Sequence, residues 1–156
     1  MSALITAQDL KEMLGRPGVK VLDATYGQDY SSIGISGALD FDIDDIADPK
    51  APLKHTVPTA EVFGQKVGAL GIKNNDTVIV YDRTGMAMAA ARAWWMFRLF
   101  GHDNVKVLDG GLPAWCAEGN ILETKKEPPP EAAAFKAELN PDLLVTMDKI
   151  TANLSA

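Results

Sequence analysis

The residues best placed to do chemistry follow an apolar segment in the middle of the chain. Thr77–Tyr81 has the pattern of a buried parallel strand. The six residues after it, which we call the cradle loop, are Asp82, Arg83, Thr84, Gly85, Met86 and Ala87. Ligands of parallel sheets gather beyond the carboxyl ends of the strands, where helix N-termini present free N–H groups. A thiolate, persulfide or oxyanion would be stabilised at position 82, but this residue is an aspartate.

Asp82 has two interpretations from the residues alone. An aspartate after a buried strand usually organises the turn, because its carboxylate accepts backbone N–H groups. The alternative is a carboxylate nucleophile for phosphoryl transfer. Phosphatases of that kind need a second aspartate two residues on, where this sequence has Thr84, and a downstream acidic motif with a lysine that the sequence lacks. We therefore favour the turn-forming role.

A parallel α/β sheet is expected to position the cradle loop. Short apolar runs alternate with longer segments of helical spacing, which is typical of a mostly parallel central sheet with helices on both faces. The predicted strands, each followed by an aspartate, are residues 19–22, Thr77–Tyr81 and Val105–Leu108. Three helices are predicted to begin after Thr6, Thr59 and Gly110-Gly111. A fourth is predicted to cover residues 87–100.

Composition restricts the class of protein. The 156 residues suit one domain, and 47% of them are hydrophobic. The net charge is −6 and the basic residues are scattered, so we expect neither a nucleic-acid partner nor a membrane partner. Without a signal-peptide pattern or a long apolar run, the sequence predicts a soluble cytoplasmic protein. One cysteine and two histidines suit neither a disulfide nor a zinc site, and we expect no metal or cofactor.

The chain changes character after Gly119. The next segment is charged and rich in proline, so we predict a globular domain over residues 1–119 and an extended linker over residues 120–145. Residues 146–156 begin with a capped amphipathic pattern like that of residues 6–14. We interpret them as the first helix of a second, similar domain that is truncated.

Three segments carry a resemblance to a known family. They are Val78-Ile79-Val80-Tyr81-Asp82, then Ala91-Arg92-Ala93-Trp94-Trp95-Met96-Phe97-Arg98-Leu99-Phe100-Gly101-His102, then Val107-Leu108-Asp109-Gly110-Gly111-Leu112-Pro113-Ala114-Trp115. In order and spacing they resemble the N-terminal rhodanese-like domain of two-domain thiosulfate and 3-mercaptopyruvate sulfurtransferases. The likeness is specific over residues 78–119 and weaker over residues 41–71.

The resemblance implies a role in the transfer of sulfane sulfur. In that family, sulfur passes from thiosulfate or mercaptopyruvate to a cysteine of the C-terminal domain, and then from the persulfide to a thiol or cyanide. The active domain carries that cysteine at the position of Asp82, so we expect this chain alone to be inactive. The implied partners are the C-terminal rhodanese domain of the same polypeptide and a small sulfur donor bound in the cleft between the domains.

Asp44 and His55 match positions that face this cleft in the family, where a carboxylate and an imidazole can relay a proton. The plainer interpretation of His55 is a partly exposed loop residue. Cys116 lies in a predicted short helix without a cationic neighbour, so we assign it no catalytic role. His102 follows a glycine at a helix end and is predicted to compensate the helix dipole.

A non-enzymatic role is the alternative for the whole chain. The same fold suits a stand-alone binding or regulatory module that docks a partner protein through the cradle loop, because a fold does not determine function. The length of the intact gene product separates the two hypotheses. A continuation of about one domain after Ala156 favours the sulfurtransferase.

Overall fold

The computed structural model describes residues 2–25, 31–125 and 131–154. Its strands in chain order are β1 (Leu4–Ile5), β2 (Val19–Asp23), β3 (Ile33–Gly34), β4 (Leu39–Asp40), β5 (Thr77–Tyr81), β6 (Val105–Leu108) and β7 (Glu123–Thr124). Its α-helices are α1 (Ala7–Met13), α2 (Ala60–Ala69), α3 (Met88–Leu99), α4 (Gly111–Ala117) and α5 (Met147–Leu154). Among these helices of the described ranges, none has the length and apolar character needed to cross a membrane.

The central sheet has five strands in the order β1-β6-β5-β2-β4. All four neighbouring pairs are parallel, which confirms the predicted α/β sheet. β5 lies in the middle, where Ile79 pairs with Val21 of β2 and with Lys106 of β6. Because β5 is hydrogen-bonded along both edges, the carboxyl end from which the cradle loop starts is held on both sides. β3 and β7 form a separate antiparallel pair.

Side chains of β5 alternate between the two faces of the sheet, and each face has its own core. Val78 and Val80 belong to a buried cluster that includes Phe63 of α2 and Phe97 of α3. Ile79 and Tyr81 belong to a second cluster, which includes side chains of α1 and α4. Helices therefore cover both faces, as the alternating sequence pattern predicts.

Two threonines begin helices as predicted. Thr6 Oγ1 accepts a hydrogen bond from Asp9 N at 3.1 Å, and Thr59 Oγ1 accepts one from Val62 N at 3.3 Å. Each hydroxyl satisfies a backbone N–H that has no partner within the first helical turn. The cap at Thr59 fixes the start of α2, which packs against the face of the sheet that also receives α3.

Residues 131–144, which we call the C-terminal segment, lie against α2 and α3. Phe135 is only 9% exposed and its ring centroid lies 6.2 Å from that of Phe97. Ala133 N donates to Gly68 O at 2.8 Å. The packed unit therefore continues beyond Gly119, where we predicted that the globular domain ends. A connection to a second domain stays a prediction.

The proline run within the predicted linker, Pro128 to Pro130, lies outside the described residues. Beyond the C-terminal segment, α5 forms where the capped pattern after residue 145 predicts a helix. None of the residues of α5 is buried, and Ile150 and Leu154 are 43% and 83% exposed. The apolar face of α5 is thus open. Its assignment to a second domain also stays a prediction.

Candidate functional site

The cradle loop leaves the carboxyl end of β5 and leads into α3. Asp82 is 3% exposed, and its Oδ1 accepts hydrogen bonds from Thr84 N at 3.1 Å, Thr84 Oγ1 at 2.9 Å and Gly85 N at 2.9 Å. This is the turn-forming role expected of a strand-end aspartate. Two of the loop's backbone donors, Thr84 N and Gly85 N, are thus engaged by the carboxylate of the chain itself.

The guanidinium of Arg83, the next residue, makes its ion pair and hydrogen bonds with groups other than Asp82. Its Nη2 lies 2.9 Å from Asp23 Oδ2 and donates to Ile33 O at 2.5 Å. The guanidinium is therefore committed to β2 and β3. Oδ2 of Asp82 is buried and has no hydrogen-bond partner among the residues that the structure describes.

Asp23 is the centre of a buried polar network below the cradle loop. It is fully buried, and besides Arg83 its Oδ2 accepts from the Tyr81 hydroxyl at 3.1 Å and from Lys125 Nζ at 3.3 Å. Lys125 also pairs with Asp40. Burial and the Asp23 carboxylate raise the pKa of Tyr81 above its ordinary value. The hydroxyl therefore stays protonated and acts as the hydrogen-bond donor to Asp23. The network ties the cradle loop to three strand ends.

Two glycines let the cradle loop approach the turn after β6. A Cβ on Gly85, which has φ 73°, would lie 2.8 Å from Gly110 O, and one on Gly111, at φ 56°, would lie 2.6 Å from Asp82 O. Leu112 N donates to Asp82 O at 3.0 Å across this contact. Side chains at positions 85 and 111 would push the two turns apart, so glycine at both positions allows the cradle loop and the turn after β6 to pack together.

A cavity of about 640 Å³ opens over the cradle loop. Asp82 and Arg83 lie in its lining together with His55 and Arg92. Met86 and Met88, which also line the cavity, are 69% and 72% exposed. Two exposed apolar side chains therefore share the lining with charged and titratable groups that are less exposed.

Asp44 and His55 are brought together at one side of the cavity. His55 Nδ1 lies 3.0 Å from Asp44 Oδ1, and the two side chains are 32% and 50% exposed. Asp44 is itself held in a turn, since its N–H donates to Asp42 Oδ1 at 2.8 Å. The structure therefore places a carboxylate against one nitrogen of an imidazole that lines the cavity containing Asp82. A carboxylate in this position can orient the ring.

Cys116 and His102 lie in different surroundings. Cys116 is exposed in α4 and does not line the cavity over the cradle loop. His102 is 3% exposed and its ring lies 5.5 Å from that of Phe97 and 5.6 Å from that of Phe135. Burial lowers the pKa of His102, which favours the neutral imidazole. The predicted role of His102 in compensating the dipole of α3 needs a cation, which this burial disfavours.

Comparisons with known proteins agree with this geometry. The family model of the rhodanese-like domain matches residues 6–118. The sequence is 38% identical over 180 aligned positions to thiosulfate/3-mercaptopyruvate sulfurtransferase 2 of Arabidopsis thaliana, covering 97% of this chain and 52% of that protein. It is 36% identical over 168 positions to the 3-mercaptopyruvate sulfurtransferase of Homo sapiens, covering 99% and 56%.

A solved structure shows the same fold. The crystal structure of SseA from Escherichia coli, described as a 3-mercaptopyruvate sulfotransferase, matches with a TM-score of 0.88 at 30% identity. The match covers 97% of this chain and 61% of that chain. The chain spans about half the length of the curated relatives that it matches. With a family model across most of its length and a shared fold, this chain belongs to the rhodanese-like domain family.

Proposed function

We propose that this chain is the non-catalytic N-terminal domain of a two-domain sulfurtransferase that uses thiosulfate or 3-mercaptopyruvate. The observation that carries the proposal is the carboxylate of Asp82 at the nucleophile position of the cradle loop. Only a thiolate can accept a sulfane sulfur as a persulfide. A carboxylate that already binds Thr84 N and Gly85 N neither accepts sulfur nor leaves room for an anion in the cradle loop.

The sulfur-carrying cysteine would then lie on a second rhodanese-like domain facing the cavity of this one. When its thiolate takes sulfur from 3-mercaptopyruvate, the C–S bond breaks and the enolate of pyruvate that leaves must gain a proton. His55 is the candidate donor on this chain, with Asp44 Oδ1 3.0 Å from its Nδ1 to orient the ring. With thiosulfate, sulfite leaves and this proton is not needed for bond cleavage. The relay would therefore affect the two donors differently.

The exposed surface around the cavity supports contact with another domain. Met86 and Met88, which line the cavity, are 69% and 72% exposed. Large apolar side chains gathered at one mouth are typical of a surface that another protein surface covers. The same observation favours our second candidate function, a non-enzymatic module that binds a separate partner protein through the cradle loop. The length of the intact gene product separates the two.

The test of the proposed function is turnover by the purified chain. With thiosulfate and cyanide it should form no thiocyanate above buffer, and with 3-mercaptopyruvate it should form no pyruvate. The Cys116→Ser variant is the control, because it removes the one thiol of the chain. Turnover by the chain that disappears in this variant would contradict the assignment of both Asp82 and Cys116.

The two-domain protein supplies the complementary test. His55→Asn should lower turnover with 3-mercaptopyruvate by about 100-fold, the lower range for loss of a general acid, and lower turnover with thiosulfate less. His102→Asn is a matched control, since it makes the same change outside the cavity. Equal turnover of His55→Asn and the unmodified protein with both sulfur donors would contradict the proposed role of His55 as proton donor.

A further inference from the structure

The backbone of His55 has an uncommon conformation. Its φ is 59°, and among the described residues only His55 and Ala87 have positive φ without being glycine. A side chain in the left-handed region crowds its own backbone, so surrounding contacts must hold such a residue in place. The direction of the His55 ring depends on this φ, because the ring leaves the chain from the same Cα. A contact that fixes the His55 backbone therefore also determines the direction of its imidazole ring.

Arg92 of α3 contacts this backbone directly, while Thr56, the next residue, is bonded within its own loop to Asp48 N and Leu53 O. Arg92 Nη2 donates to His55 O at 2.6 Å in a partly buried setting. A guanidinium gives a stronger hydrogen bond than a neutral donor, and burial strengthens it further. The bond fixes the peptide plane that follows His55, next to the strained φ.

Arg92 is itself held in a defined position. Its guanidinium carbon lies 4.7 Å from the ring centroid of Trp95, one helical turn further along α3. The Trp95 indole Nε1 in turn donates to Leu143 O at 3.1 Å. The planar cation is thus stacked on a ring that is anchored to the C-terminal segment. A lysine at this position offers neither the planar surface nor the same reach.

We propose that Arg92 is a positioning residue that holds His55 in its left-handed conformation and so keeps the imidazole beside Asp44 at the cavity over the cradle loop. Its consequence for turnover rests on the proposed function of His55. The backbone contact does not depend on that function. Arg92 lines the same cavity, so the positioning contact and the ring that it aims belong to one site.

Arg98 provides a matched control on the same helix. Its guanidinium carbon lies 5.0 Å from the ring centroid of Trp94, and its Nε lies 3.4 Å from Asp103 Oδ1. It therefore has the same chemistry as Arg92, including stacking on a tryptophan, but it lines a different cavity. A change of Arg98 removes the same kind of group without touching the His55 peptide.

The test is NMR spectroscopy of the isotope-labelled chain in three forms: unmodified, Arg92→Met and Arg98→Met. Methionine keeps most of the stem and removes the donors. Positive φ brings the amide and α protons of a residue close, so His55 should show a strong intraresidue NOE between them in the unmodified chain and in Arg98→Met. In Arg92→Met we expect this NOE to weaken to the level of ordinary loop residues. The ring nitrogens of His55 should also lose the tautomer that Asp44 favours.

Two results would overturn the proposal. One is a folded Arg92→Met chain in which the His55 NOE and ring nitrogen shifts equal those of the unmodified chain. The other is the same loss in Arg98→Met. Should Arg92→Met fail to fold, Arg92→Lys keeps the charge, and the same two criteria apply to it.

Turnover of the two-domain protein separates this proposal from the proposed function. Arg92→Met should lower kcat with 3-mercaptopyruvate by about 10- to 100-fold, as expected for a displaced proton donor, with little change in KM. If the NMR signals change as predicted while His55→Asn keeps full turnover, the positioning contact stands and the proton relay fails. If the NMR signals do not change, the positioning contact fails whatever the turnover.

Discussion

The cradle loop and the C-terminal segment are both fixed by backbone hydrogen bonds, but their partners lie at different distances along the chain. In the cradle loop, Asp82 binds groups two and three residues ahead. In the C-terminal segment, Lys136 exchanges two hydrogen bonds of 2.8 Å with the side chain of Asn74, which precedes it by 62 positions. The Asp82 turn can therefore form as soon as β5 and α3 meet, whereas the contacts of Arg83 and Leu112 also need β2, β3 and α4. The segment needs a finished surface to lie on.

Asp23 ties the cradle loop to the end of β7, and its removal should have the largest effect. It pairs with Arg83 of the cradle loop and with Lys125, which follows β7. Asp23→Ala leaves two largely buried cations without this carboxylate, and we expect a loss of about 3 to 5 kcal/mol in the free energy of unfolding. Urea unfolding measures it. Asp103→Ala, at an exposed ion pair with Arg98, is the control and should change stability by less than about 1 kcal/mol. Equal losses would mean that the buried network around Asp23 adds no more to stability than an exposed ion pair.

Removal of the aromatic anchor of the C-terminal segment should have the next largest effect. Phe135 packs with Phe63, Phe97 and His102. Phe135→Ala should lower the free energy of unfolding by about 3 kcal/mol, the lower range for a buried phenylalanine. Leu139→Ala is the control in the same segment, because Leu139 is 49% exposed. A similar small loss for both variants would show that the segment adds little to the core.

A smaller effect is expected inside the cradle loop. Asp82→Ala removes the acceptor of the Thr84 and Gly85 N–H groups, which should cost about 2 kcal/mol. Asp82→Asn keeps a carbonyl oxygen in the place of Oδ1 and should cost less. Sulfate should raise the melting temperature of the alanine variant more than that of the asparagine variant, because an anion can occupy the freed donors. Identical melting curves at every sulfate concentration would contradict the view of Asp82 as an internal anion.

The smallest effect concerns pH and again separates the two regions. Burial lowers the pKa of His102, so the folded state keeps the ring neutral below the pH at which the unfolded chain takes up a proton. The unfolded state then binds more protons, and stability should fall as the pH drops below about 6.5, with no contribution near pH 8. Urea unfolding at both pH values measures the loss, and His102→Gln should reduce it. An unchanged pH dependence in that variant would assign the loss to other groups.

Acid should also loosen the C-terminal segment before it affects the cradle loop. His102 contacts Phe135 of the segment, whereas the cradle loop lies at the opposite end of α3. Amide hydrogen exchange near pH 5.5 should therefore show loss of protection at residues 131–144 first. Simultaneous loss in residues 82–87 would indicate that the two regions unfold as one.

The difference between the regions also explains how much the sequence predicts. β5 and β6 have the predicted bounds, because short apolar runs between turn residues determine strands locally. The turn made by Asp82 is equally local. The contacts of Phe135 and Lys125 were not predicted, because they depend on surfaces formed by distant parts of the chain. One signal was present: Phe135 is the only aromatic residue after Trp115.

The site shows the same division. The approach of Asp44 to His55 was suggested by the family resemblance and not by their spacing, which is 11 positions across an irregular loop. The hydrogen bond from Arg92 to His55 O was not predicted at all. Its acceptor is a backbone carbonyl, which every residue has, so no residue type at position 55 signals it.

The central claim is that this chain accepts no sulfane sulfur from a donor. Its most direct test is intact-mass spectrometry of the chain after incubation with thiosulfate without reductant. We predict no gain in mass by a sulfur atom on the purified chain, and such a gain on a cysteine outside it in the two-domain protein. A persulfide on Cys116 that is consumed when cyanide is added would contradict the account, because the transferring thiol would then lie on this domain.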